Sequence, residues 1–255
     1  MYISEPIFDD DSVRTELLFI TKSLSEILNI VKTQNIKLCA KSIPTKIYED
    51  LIKTDNIAVF SILYESLDDK SMLENIMIDN EMIPSYSQMK GANKIFDLIA
   101  PDMITFHTSK TPRWTDNSNI LHMACWMAKC DTIIKIIKSN PELLIDLNIN
   151  NVSPIGYFLV TLINKKNIVE NEYMNVVKSI DKKTYQIILN HKMTNSWTKC
   201  IGVVEKKIIF PVGSTIIDMI KIIMSNDAID NKIDFRNICN GIYDQLFSNN
   251  NTVTL

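Results

Sequence analysis

Glycine is scarce in this chain: five among 255 residues, none clustered. A loop that cradles phosphate needs several glycines within a few positions, so Gly-rich nucleotide loops are excluded. Arginine is scarcer still, limited to Arg14, Arg113 and Arg236. Bidentate guanidinium contacts carry much of phosphate and guanine reading, so this shortage argues against nucleic acid. The net charge is −3 and no basic run is dense enough for nucleic acid or an anionic membrane. No apolar run approaches the ~20 residues that span a bilayer. The densest, residues 214–224, is interrupted by Asp218 and Lys221. Cys39, Cys125, Cys130, Cys200 and Cys239 are odd in number and lack a framework spacing. The start of the chain, with Pro6 and Asp9-Asp10-Asp11, is the opposite of a basic leader. The expectation is an intracellular, cytoplasmic protein in a reducing compartment.

Ile, Asn and Lys are abundant while Ala and Gly are few. That bias follows AT-rich codons, and it blurs any repeat consensus because Ile stands in for Leu and Asn for Gly. The apolar fraction of 46% is enough for a real core.

Periodicity predicts a mainly helical chain. Residues 1–11 are expected to fray. Ser12 is read as the cap of one helix running to about Thr33. Val13, Leu17, Ile20, Leu24, Ile27 and Val31 step by 4, 3, 4, 3, 4 along it, an a/d stripe. The stripe is expected to lie on the next helix, with self-association as the alternative. Helices follow at 45–53, with Pro44 in the first turn, and at 57–67. Residues 72–78 read as another short helix. Ile83-Pro84 reads as the start of a loop. A helix at 93–100 is stopped by Pro101, and residues 102–115, with Pro112 and Trp114, read as an irregular bridge. Helices are expected at 153–165, 172–180 and 183–190, with a lengthened turn over 164–171. Residues 198–204 and 207–212 read as a β-hairpin around Glu205-Lys206, with Pro211 at its edge. A helix from Gly213-Ser214 to Met224, a last helix at 235–247 and a polar tail at 248–255 complete the chain.

The most informative stretch is 116–158, where a short pattern occurs twice. Asn119-Ile120-Leu121-His122-Met123-Ala124 opens one helix, and Ser153-Pro154-Ile155-Gly156-Tyr157-Phe158 opens another, 34 residues on. Between them lie an amphipathic helix, Asp131 to Lys138, and the loop Asp146-Leu147-Asn148. A period of about 33 residues of this kind resembles the ankyrin repeat. Asn119 to Ala124 occupy the places of the family's Thr-Pro-Leu-His-x-Ala. Ile133-Ile134-Lys135-Ile136-Ile137 resembles its Val-Val-Lys-Leu-Leu, given one extra residue near Cys130. Asp146-Leu147-Asn148 matches its Asp-Val-Asn, which opens the β-finger, with Asn150-Asn151 at the finger's turn. Departures are Gly156 in place of the second histidine and the absence of glycine at the helix turns.

The resemblance implies an α-solenoid of ankyrin type with atypical N- and C-terminal caps, because one such unit cannot bury its own apolar face. It divides the chain into an N-terminal segment (1–40), diverged repeats (41–115), ankyrin-like repeats (116–194) and a C-terminal hairpin and helical cap (195–255). It implies that His122 bonds backbone in the loops between repeats, and that Asn119 supplies the side-chain bond of the family's Thr. It also implies a non-enzymatic module that binds another protein, through Asn117, Ser118, Trp126, Met127, Lys129, Asn150 and Asn151. Repeats this degenerate, in an AT-rich chain, resemble the ankyrin proteins of large DNA viruses, which act on host proteins. No cofactor is expected. His122, Cys125 and Cys130 lack the fourth ligand a zinc site wants. The alternative reading is a helical assembly protein that oligomerises through residues 13–31.

Overall fold

The computed structural model describes residues 11–103, 116–162, 170–201, 206–225 and 232–247. The expectations for residues 1–10, the bridge at 104–115, most of the long turn at 163–169, the hairpin tip and the tail at 248–255 lie outside these residues. The chain is mainly helical and divides into two compact units, residues 1–105 and 106–255.

The first unit opens with α1 (Asp11–Thr21) and α2 (Leu24–Gln34), not with one long helix. The break has a local cause. Ser23 is extended, its side chain accepts the Glu26 amide, and the Glu26 carboxylate accepts the Ser23 amide at 2.8 Å. This capping box starts a new helix and ends the old register. The heptad stripe is cut with it: Ile27 and Val31 are buried, but Leu17 is 55% and Ile20 78% exposed. Ser12 lies inside α1, where its hydroxyl meets that of Ser42 at 2.7 Å.

Then come α3 (Thr45–Lys53) and α4 (Ile57–Ser66), close to their expected limits. The predicted helix over 72–78 is instead a 3-10 turn (Lys70–Asn75) running into β1 (Met77–Ile78), which pairs antiparallel with β2 (Glu81–Met82). The turn residues Asp79 and Asn80 both have positive φ, 51° and 64°, as a two-residue hairpin with the right twist requires. The predicted loop at Ile83-Pro84 is the start of α5 (Ile83–Met89), with Pro84 in the first turn, where a missing N–H costs nothing. α6 (Asn93–Ile99) ends in a 3-10 turn through Pro101. α4 packs between α2 and α6, and α3 packs on α5, around Ile27, Tyr48, Phe60, Tyr64, Ile95 and Phe96.

The second unit contains α7 (Ile120–Met127), α8 (Cys130–Ser139), α9 (Pro154–Leu162), α10 (Glu170–Lys178), α11 (Lys182–Asn190), α12 (Ile216–Ser225) and α13 (Lys232–Phe247). β3 (Trp197–Ile201) and β4 (Lys206–Phe210) form the expected antiparallel hairpin, Trp197 opposite Phe210. α9 contacts α7 and α12, while α10 contacts α8 and α13, and α11 contacts α12 and α13.

One turn joins the helices of a pair in three places. Asp55, Gly91 and Ala128 are left-handed, with φ of 45°, 74° and 52°. The next residue in each case donates its N–H back over the turn: Asn56 to Leu51, Ala92 to Ser87 and Lys129 to Ala124, at 2.9, 2.9 and 3.1 Å. The left-handed residue donates to the third carbonyl before it, completing a Schellman motif. Only one of the three uses glycine. Ala128 bears the left-handed penalty of about 1 kcal/mol, so Ala128→Gly should raise the melting temperature by several degrees. Thermal denaturation measures this, and a lowered temperature would remove the turn from the account.

α12 is capped reciprocally. The Asp218 carboxylate accepts the Thr215 amide at 2.9 Å and its hydroxyl at 2.8 Å, and Thr215 accepts the Asp218 amide at 3.2 Å. These bonds, the Thr215 amide first, hold the Asp218 carboxyl below its usual range. A depressed carboxylate stabilises the fold above its unfolded value of about 3.9, and that contribution fades as pH falls through the folded one. Asp218→Asn should cost about 1 kcal/mol at pH 7. The gap between variant and parent should narrow as pH falls through the lowered folded-state value. Denaturant titrations at pH 7 and in acid test the pattern; a gap that persists unchanged in acid contradicts it.

Candidate functional site

The second unit presents its loops at one level per helix pair. At the first level, Asp116 forms a tight loop in which its Oδ1 accepts the Ser118 amide at 3.1 Å, and Asn117 is left-handed at φ 56°. At the next, Asn148 organises residues 148–152. Its Oδ1 accepts the amides of Asn150 and Val152, both at 3.0 Å, and Asn151 is left-handed at φ 60°. The two levels are joined by the Ile149 amide, which donates to the Asp116 carbonyl at 2.8 Å.

A third level, residues 192–195, leads into β3. The Thr194 amide donates to the Asn150 carbonyl at 3.0 Å. The Asn195 side chain donates to Asn150 Oδ1 at 2.8 Å, and Asn151 Nδ2 donates to the Lys192 carbonyl at 3.0 Å. The loops form a hydrogen-bonded ladder across the unit.

Beneath the ladder, Asn119 and His122 tie the start of α7 to its neighbours. Asn119 Oδ1 accepts the His122 amide at 3.0 Å, and Asn119 Nδ2 donates to the Leu143 carbonyl at 3.1 Å. His122 Nδ1 accepts the Asn119 amide at 3.2 Å, and Nε2 faces the Val152 carbonyl at 2.9 Å. Nδ1 also lies 2.9 Å from Asn119 Oδ1, so both ring nitrogens are held, one by Asn119 and the other by the Val152 carbonyl. His122 is 1% exposed and bonds a carbonyl thirty residues on, at the loop before α9.

Tyr157 sits where these parts meet. Its hydroxyl donates to Asp116 Oδ2 and receives Asn148 Nδ2 at 3.0 Å. Burial first, and the Asp116 carboxylate second, push this phenol well above its ordinary range, so it acts as an anchor and not as an acid. Its ring meets Trp126 at 5.8 Å and Trp197 at 4.9 Å, and Trp197 continues to Phe210 at 6.0 Å. The aromatic row thus runs from α7 through α9 to the hairpin. Trp126 and Trp197, on Tyr157, are half-exposed, while Phe210 beyond them is buried.

The seven expected contact residues divide in two. Trp126, Met127 and Lys129 cluster at the end of α7 and are half-exposed. Asn117, Asn150 and Asn151 are also half-buried, in the loops, but the side chains of Asn150 and Asn151 are already bonded to residues 192–195. Ser118 is corrected: it is 2% exposed and its hydroxyl lies 3.4 Å from that of Tyr157, so it braces the loop and cannot meet a partner. Sequence reasoning missed Trp197, which lies beyond the repeat-like stretch; its only signal was an aromatic at a hairpin start.

The remaining chemistry is spare. Cys125 and Cys130 are buried thiols outside any disulfide, and burial raises the Cys125 thiol strongly. Among the described residues no three His, Cys, Asp or Glu side chains gather as metal ligands, and no helix is long and apolar enough to cross a membrane. Compared with family models, curated proteins and solved structures, the chain matches none.

The His122 link gives a direct expectation. His122→Ala removes the imidazole partner of the buried Asn119 amide and one of the two bonds to the Val152 carbonyl, and should cost about 1–3 kcal/mol. Equilibrium denaturation reads the loss, and metal analysis of both proteins should read the same. Unchanged stability would mean that the link between α7 and the loop before α9 holds nothing together.

Proposed function

We propose that this chain is a non-enzymatic repeat protein of ankyrin type that binds another protein. The observation that carries the reading is the second unit's construction: α7 packs on α8 and α9, α10 on α8 and α13, and the loops are joined level to level by hydrogen bonds. Such an array has no cleft at its centre; what it offers is a long face built from loop ends and first helices. The Schellman turns at Asp55, Gly91 and Ala128 support the same repeat in both units. So does the placing of Asn119 and His122, whose bonds are those the ankyrin resemblance implies. An intracellular setting, and a viral protein acting on a host partner, extend the reading on the strength of that resemblance.

The contact face is assigned to Trp126, Met127 and Lys129, extended by Trp197 across Tyr157. Interfaces concentrate affinity in half-sunk aromatic residues with a rigid backing, and tryptophan is the commonest of these. The loop asparagines contribute chiefly by holding the face in shape.

A second reading, assembly through the N-terminal helices, keeps one observation in its favour: Leu17 and Ile20 stand exposed on α1. They are now a patch on one short helix, not half of a continuous seam, so a monomer is favoured.

Affinity capture from cell lysate with Trp126→Ala and Ile20→Asp as paired variants tests both. A specific partner retained by the parent and by Ile20→Asp should bind Trp126→Ala more weakly by about 2 kcal/mol, or roughly thirtyfold. Light scattering should give the same monomer mass for all three. A constitutive oligomer that Ile20→Asp dissociates would replace this reading with the assembly one.

A further inference from the structure

We infer that one buried water bridges Ser153 and His191 and fixes the base of the β3–β4 hairpin to the start of α9. Ser153 immediately precedes α9 and is 2% exposed. Its carbonyl accepts the amides of Gly156 at 2.9 Å and Tyr157 at 3.4 Å. The main chain thus serves the first helical turn, and the Ser153 hydroxyl caps nothing. That hydroxyl is buried with no hydrogen-bond partner among the described residues. His191 closes α11, its own N–H donating to Ile188 at 3.2 Å. Its Nδ1 is likewise buried with no partner among the described residues.

Two orphaned polar atoms in one unit would each demand an explanation, since buried polar groups are nearly always bonded. Here they share one. Ser153 and His191 line the same small cavity, together with Ile188, Met193, Ser214 and Met219. The cavity leaves about 10 Å³ for the centre of a water molecule. That is about the room one water needs and too little for a larger ligand. Among the described residues no carboxylate lines the cavity, so they offer a cation no counter-charge there. A water held between a hydroxyl and an imidazole nitrogen has the two polar partners that ordered buried waters require. Either tautomer of His191 is served, because water donates and accepts.

The position gives the water a purpose. Met193 exchanges backbone bonds with the far end of the hairpin: its amide donates to the Ser214 carbonyl at 2.9 Å, and Gly213 donates to the Met193 carbonyl at 2.8 Å. Both ends of the hairpin therefore meet beside the cavity, next to the loop level that bonds Asn150 and Asn151. The water joins this meeting point to α9, and so to the ring of Tyr157 against which Trp197 lies.

A high-resolution crystal structure of the full chain should show a density peak within hydrogen-bond reach of both Ser153 Oγ and His191 Nδ1. Ser153→Ala supplies the second measurement, because its sign separates the cases. If the water is there, the variant loses an anchor and melts several degrees lower. If the cavity is dry, the variant sheds an unpaired buried hydroxyl and melts higher. Combined with His191→Phe, the losses should be less than additive when one water serves both residues. Density without a peak, a direct Ser153–His191 bond, a raised melting temperature or strict additivity would each overturn the proposal.

Discussion

Every residue of α9, from Pro154 to Leu162, is buried. A helix apolar on all sides cannot be half of a two-layer sandwich; it must be covered all round. α7 and α12 supply two of the walls, and the rest of the second unit is arranged around that requirement. It also accounts for Gly156, where the ankyrin pattern would place a histidine. A Cβ at this position would lie 2.7 Å from Val152 Cγ1, so even alanine would force the Val152 side chain to move. The same Val152 offers its carbonyl to His122. Val152 thus crowds the second site while accepting the bond from the first.

Covering a helix on all sides leaves polar backbone at its ends with nowhere to go but other protein groups. Asn119, His122, Asn148 and Asp116 meet that need in the second unit. Tyrosines do similar work elsewhere. Tyr48, Tyr86, Tyr157 and Tyr185 each stand at the fourth residue of their helix and are buried. Tyr48 donates to the Ala40 carbonyl at 3.1 Å and Tyr185 to the Val177 carbonyl at 3.0 Å. Each thereby ties a helix to the chain preceding it. A large ring filling the core and a hydroxyl reaching its boundary suit a helix that is buried at its start.

What could be read from the sequence follows from how local each cause is. The helices at 45–53, 57–66, 120–127 and 130–139 declare themselves by period, and the hairpin by its β-branched runs. Ser23 and Glu26 also formed a readable capping box, but a regular apolar stripe across it suggested one helix; capping chemistry outweighed periodicity. Asp79-Asn80 was a readable hairpin turn, yet only four paired residues flank it, too few for an alternating pattern. Pro84 looked like a breaker because its place in the first turn depends on where β2 ends. In the site, His122 and Asn119 were legible because their partners lie in a repeating pattern. The burial of Ser118 and the arrival of Trp197 were not, since both depend on how Tyr157 is placed by contacts distant in sequence.

The way polar groups are spent decides which surface remains for a partner. In the loops, asparagine replaces glycine at left-handed positions, and a bare backbone turn becomes one with a side chain to place. Asn150 and Asn151 place theirs on the next loop level, which stiffens the ladder but takes those amides out of use. At the turn between α7 and α8, Ala128 takes the left-handed position. The indole of Trp126 stands two residues before this turn, and that of Trp197 at the start of β3. Their rings are backed by Tyr157, whose hydroxyl is itself fixed by Asp116 and Asn148. A rigid, half-sunk aromatic loses little freedom when another protein covers it, so it can contribute most of its buried area to affinity. On the proposed reading, stiffness in the ladder is therefore a condition for recognition at the tryptophans, and not a competing use of the same loops.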